Sequence, residues 1–598
     1  MRLSQHRDEL VRRVGRLHVA AQAALVVVVG GYWLVQVAEG AAYRELAENN
    51  RLRKLSIEAP RGLIRDRYGQ PLVENVPRYS LLIDRSRSRD LEASLRFAAP
   101  ILEQPVAELQ EVLAGYRQTP SFKPVRLAPE LSLQQVARFG VEHFEHPEFE
   151  IAVSHLRLYR HAHQTAHILG YLGEVTDAEL RLPGNAYRAG DTVGKEGVEG
   201  LYEDHLRGQR GEQVVVVDSR GRLIEEYDRH FATPGRELTL TIDLALQQEA
   251  ATQLAGKVGA IVALDPRQGE VLAMVSAPSF NPNRFARRMR PEEWRELLED
   301  PHHPLQNRAV QNTFPPGSTF KIVMALAGLD LGVIDPQTTI ARCRGFSTIY
   351  NNRYRCWKAS GHGPVDLKAS LKYSCNVYYH QLGQKLTIDQ IADYARLFGL
   401  GRKTGIDLAG ERSGLIPDSR WSLEQRGAPW YPGETISVAT GQGPILVTPL
   451  QMAVLTAAVA NGGHLVTPHL VRDGGVRPAG SPASVASEPA GRLSPEHLEL
   501  VREALWSVVN EPHGTGGSAR VKGLDIAGKT GTAQVVSQEV HTASEDLPPE
   551  LRDHAWFVSF APARDPRLVV VVFVEHGGAG SRAAAPLARS LYERFFRR

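Results

Sequence analysis

Cysteine is close to absent from this chain. Three occur in 598 residues, at Cys343, Cys356 and Cys375. That is too few for a small scaffold held together by disulfides. An odd count outside the cytoplasm permits one disulfide and leaves one thiol over. An excess of charge is missing too. The net charge is +3, and there is no basic stripe or nucleic-acid motif, so no nucleic-acid partner is expected. Long apolar runs are missing as well, with one exception.

The exception is Leu17 to Ala38, which contains no Asp, Glu, Lys or Arg. As a helix it would rise about 33 Å, enough for the hydrocarbon core of a bilayer. Arg2, Arg7, Arg12, Arg13 and Arg16 precede it, and Tyr32-Trp33 lies near its far end. That pattern predicts a cytoplasmic tail over 1–16, a single transmembrane helix over 17–38, and the rest of the chain outside the cytoplasm. A cleaved signal peptide and a buried core helix are the alternatives. Signal h-regions usually run about 7–15 residues, shorter than this stretch.

The remaining length suggests about three or four folding units. Residues 39–57 read as a polar juxtamembrane stalk. Ala59 to Leu72 reads as strand, glycine turn and strand. A helix-prone polar section is expected from Leu91 to Phe144, with strands near Glu150–Val153 and Gln213–Val217. Nothing in 39–225 sets a nucleophile beside a base, so this part is expected to be a non-catalytic pedestal. A second unit, 226–598, opens with an alternating strand at Leu238–Asp243. A helix follows with Leu246, Ala250 and Leu254 on one face. Gly259–Asp265 and Glu270–Val275 read as a hairpin. Ala555–Pro562 and Leu568–Val574 read as further strands, and Pro586–Phe596 as a final helix. Strands at both ends with helices between predict an α+β fold: one antiparallel sheet built from distant segments and flanked by helices. Gly474–Arg492 is rich in Gly, Pro, Ala and Ser and reads as a surface loop.

Three words in the second unit carry chemistry. Ser318-Thr319-Phe320-Lys321 follows Pro315-Pro316-Gly317. The prolines stop any helix, the glycine permits a sharp turn, and Thr319 onward is a good helix. Ser318 is therefore expected at a helix N-terminus, where free N–H groups favour negative charge. Lys321 lies one turn on. A serine hydroxyl is a weak nucleophile until a base takes its proton, and a lysine can do so only if its surroundings lower its pKa. Ser374-Cys375-Asn376 follows a helix-prone run, so a loop would offer Ser374 for proton transfer and Asn376 for a substrate amide or for Lys321. Lys529-Thr530-Gly531-Thr532 reads as a strand interrupted by glycine, which often marks a close backbone approach. A substrate lying along it would add to the sheet, read by Lys529 and the threonine hydroxyls. Lys403-Thr404-Gly405 spells the same opening letters but lacks a counterpart of Thr532 and comes too soon, so Lys403 is expected to be a surface lysine.

The ordered trio resembles the motif set shared by penicillin-binding proteins and class A β-lactamases. With Phe314-Pro315-Pro316-Gly317, Gly361 to Leu367, Gly441-Gln442-Gly443, Thr448 to Met452, Gly528 to Gln534 and Ala583 to Pro586, the chain resembles a class B penicillin-binding protein of the penicillin-binding protein 2 group. Arg61-Gly62 and Gly194-Lys195 match that family's pedestal. The resemblance covers nearly the whole chain. It implies a membrane-anchored serine D-Ala-D-Ala transpeptidase that cross-links peptidoglycan stem peptides in cell-wall elongation. Ser318 would be acylated by the stem peptide, with Lys321 as its base. Ser374, Asn376 and Lys529 would assist proton transfer, and the N–H groups of Ser318 and Thr532 would form the oxyanion hole. Thr530, Gly531 and Thr532 would bind substrate. β-Lactams would acylate the same serine. A SEDS-type glycan polymerase and the elongation complex in the inner membrane are the implied partners. No cofactor is needed for acyl transfer. A D-Ala-D-Ala carboxypeptidase, a β-lactamase-like hydrolase and a non-catalytic scaffold are the alternatives.

The cysteines form a second theme. Cys343, Cys356, His362 and Cys375 make a Cys₃His set, the donor composition of a closed structural zinc site. Some members of the resembled group carry metal ligands in this region, often mixed Asp, His and Cys; thiolates here would favour zinc. A disulfide with a spare thiol, or three unlinked cysteines, remain open at this point.

Overall fold

The computed structural model describes residues 2–41, 52–119, 123–181, 187–188, 190–217, 223–286, 289–472, 488–489, 493–536 and 544–597. Residues 42–51 of the expected stalk, and all but 488–489 of the expected loop at 474–492, lie outside them. The chain divides into two compact units. One comprises Met1–Pro60, Val76–Leu156 and Gly208–Pro234; the other comprises Arg61–Asn75, Arg157–Arg207 and Gly235–Arg598.

In the first unit, the helix Arg2–Trp33 continues into a π-helical turn, Leu34–Ala38. Arg13–Ala38 is long and apolar enough to cross a membrane, and none of it is buried against the protein. Leu52–Ile57 pairs antiparallel with Gly211–Val217, which pairs with Leu223–His230. A small core of Leu81, Ile83, Leu95, Leu109, Leu127, Phe139 and Phe149 gathers the rest. Asp90 caps Leu91–Leu102 by accepting from the N–H groups of Glu92 and Ala93. Ser132 and Gln135 form a capping box that starts Leu133–Val141. The section expected to be helix-prone also contains a strand, Val125–Leu131. Its Val125, Leu127 and Ala128 face the core, so burial against the sheet overrides local helix preference.

The second unit is built on one antiparallel sheet. Its strands are β1 (Gly259–Leu264), β2 (Val271–Ala277), β3 (Ala527–Ala533), β4 (His554–Ala561) and β5 (Leu568–Val574), in the order β2-β1-β5-β4-β3. The expected hairpin and the union of distant segments are both present. Successive side chains on a strand point to opposite faces. Accordingly Val569, Val571 and Phe573 enter one core, and Leu568, Val570, Val572 and Val574 enter another. Cover on both faces explains why β5 is apolar without alternation. Helices α1 (Leu244–Gln253), α2 (Lys321–Asp330), α3 (Leu367–Lys372), α4 (Asn376–Lys385), α5 (Pro449–Ala460) and α6 (Ala585–Phe596) supply that cover. Leu246 and Ala250 of α1 join Leu587, Leu591 and Tyr592 of α6 on one side, while α2 to α5 contribute to the other. Leu238–Thr239, expected as an opening strand, pairs in parallel with Ile64–Arg65 rather than joining this sheet.

The same unit holds a buried ion network. Arg61 bonds Glu199 and Glu203 at 2.8 Å each, and Arg157 bonds Glu199 at 2.7 Å. Burial alone would raise the pKa of Glu199; the two guanidinium groups outweigh it and hold the carboxyl below its ordinary value. Removing one partner of such a network leaves an unpaired buried charge. Gly62 is obligatory beside it, because a Cβ there would lie 1.8 Å from the Arg236 carbonyl oxygen.

Candidate active site

The first word forms a tight turn. Gly317–Phe320 is a 3₁₀ turn, and the α-helix proper begins at Lys321 rather than at Thr319. Gly317 has φ +54, and a Cβ on it would lie 2.5 Å from the Thr532 carbonyl oxygen. Only glycine lets the serine-bearing turn approach β3 this closely. The Thr319 hydroxyl donates to Pro316 O at 2.6 Å, and the Trp556 indole donates to Pro315 O at 3.0 Å. These bonds fix the loop in front of Ser318, which is itself half-buried.

The second word ends one helix and starts the next. The Ser374 N–H donates to Leu371 O and the Cys375 N–H to Ser370 O, closing α3. This is a Schellman ending, with Ser374 at the left-handed position where glycine is usual. Its φ is +53. A non-glycine residue there stores of order 1–3 kcal/mol of strain. The twist turns the Ser374 carbonyl and hydroxyl toward Lys321, and Asn376 opens α4 beside them.

Lys321 joins the two words. Its Nζ donates to Asn376 Oδ1 at 2.7 Å and Ser374 O at 3.0 Å, and lies 3.4 Å from Ser374 Oγ. The side chain is fully buried. Burial lowers its pKa from 10.5 to about 8, and the electrostatic influence of the neighbouring Cys375 and Cys356 opposes the fall. Tyr379 lends a ring face 5.2 Å from the ammonium.

The third word lies on β3, the end strand of the sheet. Lys529 is fully buried, and its Nζ donates to Thr530 O at 3.0 Å. Burial, and then the charge of Lys321, push its pKa well below the ordinary lysine value. The Thr530 hydroxyl donates to that of Thr515 at 2.9 Å. At Gly531 the place of a Cβ is crowded by Trp556 Cβ at 2.8 Å and Thr319 Cγ2 at 2.9 Å. The close approach that this glycine permits is therefore made by the serine turn itself. Thr532 is half-buried and has the serine turn on one side. The look-alike word lies elsewhere: Lys403 is exposed, and Glu411 takes the Thr404 and Gly405 N–H groups.

Beside Ser374 the three cysteines and His362 converge. Their donor atoms all lie within 4.8 Å of one another, and no disulfide links them. Tetrahedral thiolates on a zinc ion sit about 3.8 Å apart, so the set can close on a metal with small adjustments. Cys356 Sγ is 3.6 Å from His362 Nδ1. A hydrogen bond from Cys375 lowers the pKa of Cys356, while that of Cys375 itself is raised.

The three words meet in the structure, beside three neighbours that the sequence did not single out as site residues. Tyr379 follows Asn376 by three residues on a helix, a spacing that places both on one face. Thr515 carried no signal, because its contact with Thr530 arises only from packing. Gln442 stood in a noted word without a role. Its side chain reaches Thr532.

A half-buried serine one turn before a buried lysine, packed against the end strand of a helix-covered sheet, defines a serine acyltransferase. The chain belongs to the penicillin-binding protein transpeptidases: the penicillin-binding protein transpeptidase domain matches residues 259–593, and the penicillin-binding protein dimerisation domain matches 56–240. It is 35% identical to the peptidoglycan D,D-transpeptidase MrdA of Acinetobacter baumannii, over 95% of this chain and 85% of that protein. It is 36% identical to MrdA of Haemophilus influenzae, over 94% and 87% respectively. Among solved structures it is similar to PBP2 in the complex with MreC from Helicobacter pylori, with a TM-score of 0.80, 26% identity, and 91% of this chain and 99% of that one covered. Pseudomonas aeruginosa PBP2 in complex with WCK 5153 aligns with a TM-score of 0.68 and 31% identity, over 91% and 96%.

Proposed function

We propose that this protein is a class B peptidoglycan D,D-transpeptidase that cross-links stem peptides through an acyl-enzyme on Ser318. The observation that carries the residue assignment is the bracketing of buried Lys321 by Ser374 and Asn376. Near neutral pH a minority of Lys321 is uncharged. That form accepts the Ser318 proton as the hydroxyl attacks the carbonyl of a terminal D-Ala-D-Ala. The N–H groups of Ser318 and Thr532 receive the developing oxyanion. The proton passes by way of Ser374 to the departing D-Ala amine, with Asn376 holding Lys321 and with Lys529 beside the relay. Thr530, Gly531 and Thr532 seat the substrate, and the threonine hydroxyls read its carboxylate. An amine from a neighbouring stem then attacks the ester, forming the cross-link and freeing Ser318. β-Lactams acylate the same oxygen. Labelling with a fluorescent penicillin, mapped by peptide mass spectrometry, should find the adduct on Ser318. Ser318→Ala should abolish both labelling and cross-linking; a variant that still cross-links would overturn the assignment.

In this reading Leu17–Ala38 anchors the protein in the inner membrane with the arginine-rich tail inside. Residues 39–225 serve as a non-catalytic pedestal, and 226–598 carry the reaction. The match of 56–240 to the dimerisation-domain model supports that division. Relatives are found with MreC and within a peptidoglycan synthase complex. A SEDS-type polymerase of the elongation machinery is accordingly the partner proposed here.

Cys343, Cys356, His362 and Cys375 would hold a structural zinc ion, whose chemistry is to tie the three segments together. Because Cys375 lies between Ser374 and Asn376, such a tie holds the second word in place without touching substrate. Metal analysis of the purified ectodomain should return one zinc per chain, and chelation should slow acylation and lower the melting temperature. A metal-free protein with three freely titratable thiols would refute the site.

A further inference from the structure

The end strand β3 pairs with β4 on one side only. On its other side the carboxamide of Gln442 is already docked. Gln442 Nε2 donates to the Thr532 carbonyl at 3.0 Å, and the Gln534 N–H donates to Gln442 Oε1 at 3.2 Å. This bond pair is the one that a single residue of a parallel neighbouring strand would make. The loop that carries the side chain is itself fixed. Gly441 O accepts from Gly317 N–H at 2.9 Å, and Gln442 N–H donates to Ser437 O at 3.0 Å. A Cβ on Gly441 would lie 2.0 Å from Gly317 O. Gln442 is therefore held against the serine turn, with its amide on the edge of the sheet.

The acyl donor needs the same atom. If its reacting carbonyl accepts from the Thr532 N–H, the antiparallel rule pairs the N–H of that same donor residue with the Thr532 carbonyl. Gln442 already donates to that carbonyl, so a donor N–H must share its two lone pairs with the carboxamide or displace it. The Gln534 N–H has a single proton, so it cannot serve Gln442 and a donor carbonyl together. We propose that Gln442 is a specificity-determining residue: a resident side-chain amide that competes with the backbone N–H of an acyl donor for the Thr532 carbonyl. Donors that bring an N–H on the carbon next to the reacting carbonyl replace the bond; those without one leave Gln442 in place. This inference rests on the reading of Ser318 and Thr532 as the acylation centre.

Two β-lactams separate the cases. Benzylpenicillin carries an acylamino N–H beside its reacting carbonyl, and imipenem carries a hydroxyethyl group there. Second-order acylation rates of the full-length protein are measured for both, in the parent, in Gln442→Ala and in Gln442→Glu, whose carboxylate cannot donate to Thr532. With the competitor gone, the benzylpenicillin-to-imipenem rate ratio should rise about fivefold in both variants, the worth of one net hydrogen bond. A ratio that stays constant or falls overturns the proposal. That includes the case in which both rates drop together with the melting temperature, as for a purely structural tether. Failure of either ligand to acylate the parent would instead overturn the reading of Ser318, a distinct result.

Discussion

On the proposed mechanism Lys321 sets the pH at which Ser318 reacts, and the structure gives the scale. Burial brings the lysine to about 8 from an ordinary 10.5. Only the neutral amine can take the serine proton, so acylation should follow the neutral fraction. That fraction is about one in a hundred at pH 6, one in ten at pH 7, and nine in ten at pH 9. Stopped-flow acylation by a fluorescent penicillin between pH 6 and 9 should therefore climb about tenfold per unit at first and level off above a midpoint near 8. Stability must respond as well. The folded pKa lies below the unfolded one, so the folded state binds fewer protons between about pH 8 and 10.5. Below 8 the cost of burying the lysine is present in full, about 3 kcal/mol. As pH rises toward 10.5 the cost disappears. Lys321→Met should abolish acylation. Its stability relative to the parent should be most favourable at neutral pH and should decline as pH approaches 10, measured by urea unfolding. An acylation rate that is flat from pH 6.5 to 9, or that has its midpoint near 10, would refute the role of burial.

Three further outcomes can be checked. Ser374→Gly should be more stable than Ser374→Ala by about 1 kcal/mol, reversing the usual order of the two residues, because only glycine relieves the left-handed backbone; both should lose acylation, and unfolding free energies decide the order. Gly317→Ala drives a Cβ to 2.5 Å from the Thr532 carbonyl oxygen and should part the serine from β3, slowing acylation about a hundredfold with little change in far-UV circular dichroism. Lys403→Met, in the look-alike word, should acylate at the parent rate, whereas Lys529→Met should not; equal losses would show that the wrong strand had been assigned.

Much of this was legible in the chain because local chemistry writes local pattern. The N-terminal apolar helix is legible as an uncharged run of 22 residues behind arginines, which needs no tertiary context. The hairpin of β1 and β2 and the apolar run of β5 follow from turn residues and burial. Pro315-Pro316-Gly317 before a strong helix former places Ser318 at a helix start whatever surrounds it. The strand Val125–Leu131 is not legible within its helix-prone section because its strand form depends on a distant partner, Tyr79–Ile83, which no local window contains.

By itself, then, the sequence determined the class of chemistry, since a serine, a lysine one turn on, a second hydroxyl and a lysine-threonine-glycine strand in order have few other uses. The tertiary structure alone decided what those residues experience. It buries Lys321 and Lys529, which lowers their pKa values by desolvation. It forces Ser374 into a glycine conformation to aim its oxygens at Lys321. It also fills the gap at Gly531 with the serine turn and lays Gln442 on the Thr532 carbonyl. Each is a contact between segments far apart in the chain. Such contacts are set by how helices and strands pack into a shared core, and local sequence carries no record of them.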